Sequence, residues 1–178
     1  YYIAGAMISS VPVLYLLIFR VAYRRRRILA FLDPWADPKG VGFQIIQSFL
    51  ALGSGGIFGV GLGQSRQKLF YLPQSHTDFI FSIIAEESGL VGSFAVVFVF
   101  ILLIAFGFMV AVKAKDRFGR MLAIGITSLI ALESFINIAV CVGLIPTKGL
   151  PLPFVSYGGS ALIAHMIAIG LLLNISKN

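Results

Sequence analysis

The chain has 178 residues, 58% of them hydrophobic and 12% charged, where an ordinary soluble domain carries about 25% charged residues. Its mean hydropathy of +0.96 means more apolar surface than one globular core can bury, so part of its solvent is lipid and a soluble single domain is excluded. The formal net charge of +7 then asks which membrane face holds the basic residues, and nucleic acid is not an expected partner.

The chain opens on Tyr1-Tyr2-Ile3 inside an apolar run, with no initiator Met and no signal-peptide pattern, and reads as a piece of a longer protein. Uncharged runs span Tyr1 to Phe19, Gly40 to Ser65, Ser88 to Val112, Met121 to Ile145 (interrupted by Glu133) and Gly149 to Ser176. Each approaches or exceeds the roughly 20 residues that cross a bilayer core. Lipid cannot satisfy free backbone amides, and the alternating strands of an outer-membrane barrel are absent from the sequence, so the crossings are helical. The expectation is an all-α, polytopic integral membrane bundle of about five transmembrane segments, one membrane domain over residues 1–178.

Between the first two runs, Arg24 to Arg27 read as a topology anchor that also meets anionic lipid. The second run holds eight glycines between Gly40 and Gly63, each weakening a helix by about 1 kcal/mol relative to alanine. This predicts a short helix near Phe43 to Leu52 and irregular backbone after it. The glycines serve either close helix packing, through Gly55/Gly59 and Gly59/Gly63, or a backbone-lined polar cavity. Assigning loops alternately to two sides puts Arg20, Arg24, Arg25, Arg26, Arg27, Lys39, Lys113, Lys115, Arg117, Arg120 and Lys177 together, against Arg66, Lys68 and Lys148, which is 11 against 3. The first side is therefore cytoplasmic, and the loops of about 63–88 and 144–157 lie outside.

The first outer loop concentrates the polar residues that the spans avoid. Ser75-x-x-Asp78 matches a capping box, predicting a helix that runs to about Glu87 and stops at Gly89, with Asp78 as a cap in the plainest interpretation. Asp78, Ser82 and Glu86 recur every four residues, so they form a polar stripe expected to face a cleft. Asp78 and Glu86 would stand about 12 Å apart along a helix, too far for the carboxylate pair of a retaining glycosidase at about 5 Å. A single carboxylate accepting a proton from a hydroxyl fits better, with Asp78 as the base. His76 tunes it or lines the loop. With two histidines and one cysteine, Cys141, neither a protein-built metal site nor an internal disulfide is expected.

In the second outer loop, Pro146, Pro151 and Pro153 exclude helix, and Lys148 joins Arg66 and Lys68 as a cation able to neutralise a diphosphate, unless the three are scattered surface charges. The turn Ser156-Tyr157-Gly158-Gly159-Ser160 either offers backbone NH groups to an anion or only reverses the chain. In the fourth run, Glu133 and Asn137 share a helix face, and the intramembrane carboxylate is either a functional group or a structural hydrogen bond to a neighbouring helix, with Asn137 as its local companion. His165 reads as packing or as an interhelical hydrogen bond.

The strings GSGGIFGVGLGQSRQKLFYLPQSHTDFIFSIIAEESGLVG and GLIPTKGLPLPFVSYGGS resemble the signature regions of the SEDS family of FtsW, RodA and SpoVE. The likeness runs from about Pro34 to the end, in the order and spacing of that family's C-terminal half. QK ahead of YLPQSHTDF and PTKG rather than PVTG are more similar to the FtsW branch than to the RodA branch.

The resemblance implies a fold of about ten helices, of which this chain supplies the last five, and a peptidoglycan glycosyltransferase that polymerises lipid II outside the bacterial cytoplasmic membrane during division. It places the family's essential aspartate, in the HTDF motif with His76 and Thr77, on Asp78. Lipid II and undecaprenyl diphosphate are then the substrate and leaving group. Arg66, Lys68, His76, Thr77, Ser82, Glu86, Lys148, Ser156, Gly158, Gly159 and Ser160 are the candidate substrate contacts. A divalent cation, Mg or Mn, is a further candidate for the leaving charge. The implied partners are a class B penicillin-binding protein transpeptidase, other divisome proteins and the membrane. Gln74 stands where the family's loop usually has Glu. Alone, the chain is expected to be inactive. A lipid II flippase using the Glu133 region, or a non-catalytic divisome scaffold, are the alternative functions.

Overall fold

The structure, a computed structural model, describes residues 22–40, 42–65 and 78–177. The chain falls into two compact units, Tyr1–Ile46 and Gln47–Asn178.

In the first unit, α1 (Ala22–Leu32) carries the arginine run. It ends because Pro34 disfavours helical backbone at Asp33, whose side chain instead accepts from Trp35 N at 3.2 Å and caps a 3-10 turn, Pro34–Ala36. Gly42 then packs on the Pro34 carbonyl so closely that a side chain there would collide with it. Helix α2 (Phe43–Gly55) starts in this unit, and its residues from Gln47 onward belong to the second.

The second unit is built on α3 (Ile80–Lys113), α4 (Arg117–Cys141) and α5 (Gly159–Lys177). These three helices are long and apolar enough to cross a membrane. Of the five expected crossings, the first lies outside the described residues. The second supplies only the 13-residue α2, because its later glycines leave the helical region: Gly56, Gly59, Gly61 and Gly63 all have positive φ.

Helices α3 and α4 form an antiparallel hairpin. Gly107 lies on Thr127 and Ala111 packs with Ala123, while Asp116 caps α4 by accepting from Gly119 N at 2.6 Å. Gly119, Ala123, Thr127, Ile130, Ser134, Asn137 and Cys141 of α4 form a buried stripe spaced by three and four residues, and Ala139 and Val140 are buried beside its C-terminal end. Phe118, Met121, Leu129, Leu132 and Phe135 point away from it. Small and polar side chains face the protein and large apolar ones face outward, the pattern of a helix in lipid. Leu172 of α5 joins Ala111 and Ala123, while Phe79, Phe81, Phe100, Val140, Cys141 and Leu152 form a second core at the opposite end of the hairpin.

Helix α3 is broken at Gly89, where φ is 68° and ψ is −162°. An unbroken helix would bond Leu90 N to Glu86 O and Val91 N to Glu87 O. Here Leu90 N and Val91 N donate to Gly56 O and Ile57 O at 3.0 and 3.2 Å, and Glu86 O and Glu87 O accept from Val60 N and Gly61 N at 2.9 and 3.1 Å. The glycine-rich segment thus enters the helix ladder and satisfies all four freed groups. Side chains at Gly59 or Gly89 would strike the facing backbone, so the glycines serve close packing, between irregular backbone and a broken helix rather than between two helices.

Candidate functional site

Asp78 stands in the turn before α3. The helix begins at Ile80 with Phe79 at its N-cap and no capping side chain, later than the capping box predicted, and Ser75 lies outside the described residues. The Asp78 carbonyl accepts from Asn137 Nδ2 at 2.9 Å and lies 3.7 Å from the Cys141 thiol. These bonds to α4 hold residue 78 in a turn instead of a first helical turn. The same Asn137 amide donates to Leu150 O at 2.6 Å, drawing the second outer loop against that turn. A Cβ placed on Gly149 would lie 3.1 Å from Asp78 Oδ2, and φ there is +68°. The carboxylate therefore rests on a backbone position suited to glycine.

The second loop leaves α4 through Gly143, whose N–H donates to Val140 O at 3.0 Å while Leu144 N–H donates to Ala139 O at 2.7 Å, a Schellman ending. Further on, Ser156 folds the chain back on itself: Leu152 N–H donates to Ser156 Oγ at 2.7 Å and Ser156 N–H donates to Leu152 O at 3.0 Å. Ser156, Gly158 and Gly159, with Phe154, Leu162 and Ile80, line a cavity of about 520 Å³. The NH groups opening α5 stand at this wall, and Ile80 places the cavity two residues from Asp78. Lys148 and Ser160 are exposed.

Ser82 and Glu86 do not form a stripe facing a cleft. Both are buried. The Ser82 hydroxyl shares a 2.6 Å hydrogen bond with Ser48, which donates to Cys141 O at 2.7 Å, and Glu86 accepts from Ser65. Phe79, not Asp78, begins the helical face that the four-residue spacing assumed. Arg66, Lys68, His76 and Thr77 lie outside the described residues. Ser48, Ser65 and Gly149 were not singled out by the sequence; the only signal for Gly149 was a glycine after Lys148 in a proline-rich loop.

Deeper in the helices, Asn137 is not the companion of Glu133. Glu133 Oε2 lies 2.6 Å from His165 Nε2 on α5, and His165 Nδ1 is 2.6 Å from Ala161 O. Phe154 stacks edge-on against the same imidazole. His165 is thus an interhelical hydrogen-bonding residue. Among the described residues no group of three or more His, Cys, Asp and Glu side chains is placed to hold a metal ion.

The family model for FtsW, RodA and SpoVE, described as a cell cycle protein, matches residues 1–178. The chain belongs to this family. It is 54% identical over 175 residues to the probable peptidoglycan glycosyltransferase FtsW of Geobacter metallireducens, an alignment covering 98% of this chain and 47% of that one. It is 48% identical over 184 residues to the stage V sporulation protein E of Bacillus subtilis, covering 99% and 50%. Among solved structures, one on the structural coordination of polymerization and crosslinking by a peptidoglycan synthase complex superposes with a TM-score of 0.74 at 29% identity, over 98% of this chain and 48% of that one. A crystal structure of a mutant of the Thermus thermophilus rod shape determining protein RodA gives 0.57 at 34% identity, over 73% and 39%. The chain spans about half the length of the curated relatives it matches. Family membership and three helices long and apolar enough to cross a membrane support a multi-pass membrane protein.

Proposed function

We propose that the whole protein is a peptidoglycan glycosyltransferase that polymerises lipid II at the outer face of the bacterial cytoplasmic membrane during division. What carries this reading is the seat of Asp78: a carboxylate fixed before α3, against Gly149, and two residues from the wall of a cavity bounded by the α5 N-terminus. Asp78 takes the proton from the acceptor sugar hydroxyl as its oxygen bonds to the anomeric carbon of the lipid-linked donor. The donor's carbon–oxygen bond to phosphate breaks on the opposite side, inverting that carbon, and undecaprenyl diphosphate leaves with the electron pair. Its charge falls to Lys148, Arg66 and Lys68 and to the NH groups at Gly158 and Gly159. A class B penicillin-binding protein transpeptidase that cross-links the strand, and other divisome proteins, are the proposed partners.

The test uses full-length protein in detergent, supplied with lipid II. Asp78→Asn is expected to lower glycan polymerisation at least ~100-fold. An unchanged rate would sink the base assignment. No glycan from the native protein, with lipid II crossing proteoliposome membranes instead, would replace the polymerase with a flippase. Growth sustained by Asp78→Asn as the sole copy would favour a scaffold.

A further inference from the structure

We propose that Asn137 is a positioning residue for this reaction: a single amide holds, on one frame, the backbone of Asp78 and the loop that carries Lys148. The inference rests on the reading of Asp78 as the base and adds to it the part that keeps the carboxylate in register with the opposing loop.

Asn137 is 1% exposed. An amide NH2 has two hydrogens, and both are used, one toward Asp78 O at 2.9 Å and one toward Leu150 O at 2.6 Å. Both partners are carbonyls, which only accept, so the nitrogen must be the atom facing them and the amide cannot be flipped. Its oxygen is turned to the Cys141 thiol at 3.9 Å. Neither carbonyl belongs to α4 or to a partner helix; each sits in a connection, on either side of the contact between the Asp78 carboxylate and Gly149. Helix α4 would bury an apolar side chain of the same size without loss of its own hydrogen bonds. The amide is therefore explained by what it holds outside the helix. A base moved by about 1 Å from its acceptor costs on the order of 100-fold in rate.

The full-length protein carries Asn137→Leu, Asn137→Asp, Ser134→Ala and Asp78→Asn in turn. Ser134 lies on the same buried stripe but bonds only within α4, to Ile130 O at 2.7 Å and Ala131 O at 3.2 Å. The readouts are kcat and KM for lipid II polymerisation and amide hydrogen exchange. Asn137→Leu is expected to lower kcat about 30- to 100-fold with KM within twofold, and to speed exchange in residues 78–82 and 148–152 alone. Asn137→Asp should do the same, and Ser134→Ala should leave kcat unchanged. Native kcat in both Asn137 variants overturns the proposal. So does exchange that rises throughout α4 and α5 in both, which would make Asn137 a residue of the fold. If Asp78→Asn keeps the native rate while the Asn137 variants lose it, the base assignment fails and the clamp stands.

Discussion

His165 fixes its own protonation pattern. A carbonyl only accepts, so Nδ1, 2.6 Å from Ala161 O, carries a hydrogen. Nε2 and a Glu133 oxygen then lie 2.6 Å apart, a separation that two lone pairs cannot hold, so one proton sits between them. Wherever it rests, the pair has no net charge, which is how a carboxylate is carried between spanning helices at tolerable cost. Glu133→Gln, whose amide still donates to Nε2, should cost less than about 1 kcal/mol. His165→Leu leaves the carboxyl group without its partner and should cost about 2 to 3 kcal/mol. Denaturant unfolding in detergent micelles ranks the two, and equal losses would refute the shared proton. At this scale the sequence was partly readable. It marked Asp78 and Glu133 as costly groups needing a role and His165 as an interhelical bond. It mispaired Asn137, because spacing along one helix identifies neighbours on a face while the actual partners come from connections 59 and 13 residues away.

The α3–α4 hairpin shows why apolar runs locate spans without revealing which face is inside. In lipid the outward face is as hydrophobic as any core, so the buried stripe of α4 is recognised by small and polar residues instead. The glycines of the hairpin are consequently unequal. A Cβ on Gly107 would run into Thr127, whereas Gly125 has open space around it. Gly107→Leu should destabilise the hairpin by roughly 1 to 3 kcal/mol, and Gly125→Leu should leave it within about 0.5 kcal/mol. Thermal unfolding in the same detergent decides, and similar melting temperatures for the two variants would contradict the Gly107–Thr127 crossing. The ends of α3 were less legible than its existence. Its start moved to Ile80 because tertiary bonds hold Asp78, whereas its interruption at Gly89 could be read from glycine's tolerance of positive φ.

For the molecule as a whole, the charge asymmetry predicts an orientation. Lys113, Lys115, Arg117 and Arg120 gather at the α3–α4 turn with Asp116 the one acid among them, and that acid is occupied in capping α4. Lys148 is exposed in the connection between α4 and α5. The positive-inside rule predicts that the first region faces the cytoplasm and the second the outside. In intact cells a membrane-impermeant maleimide should label Lys148→Cys and leave Lys115→Cys unlabelled until the membrane is opened; the native Cys141 is buried and adds little background. The reverse pattern would invert the orientation and remove Asp78 from the outer face. The break in α3 also bears on how the chain is made. The four backbone groups freed around Gly89 find their partners only in residues 56–61, and those residues leave the ribosome before α3 does. The acceptors and donors are thus already synthesised when the broken helix emerges, and the natural order of translation lets them close on it at once. A rearranged gene encoding the glycine-rich segment after α3 would leave those four groups without their partners until that segment was made.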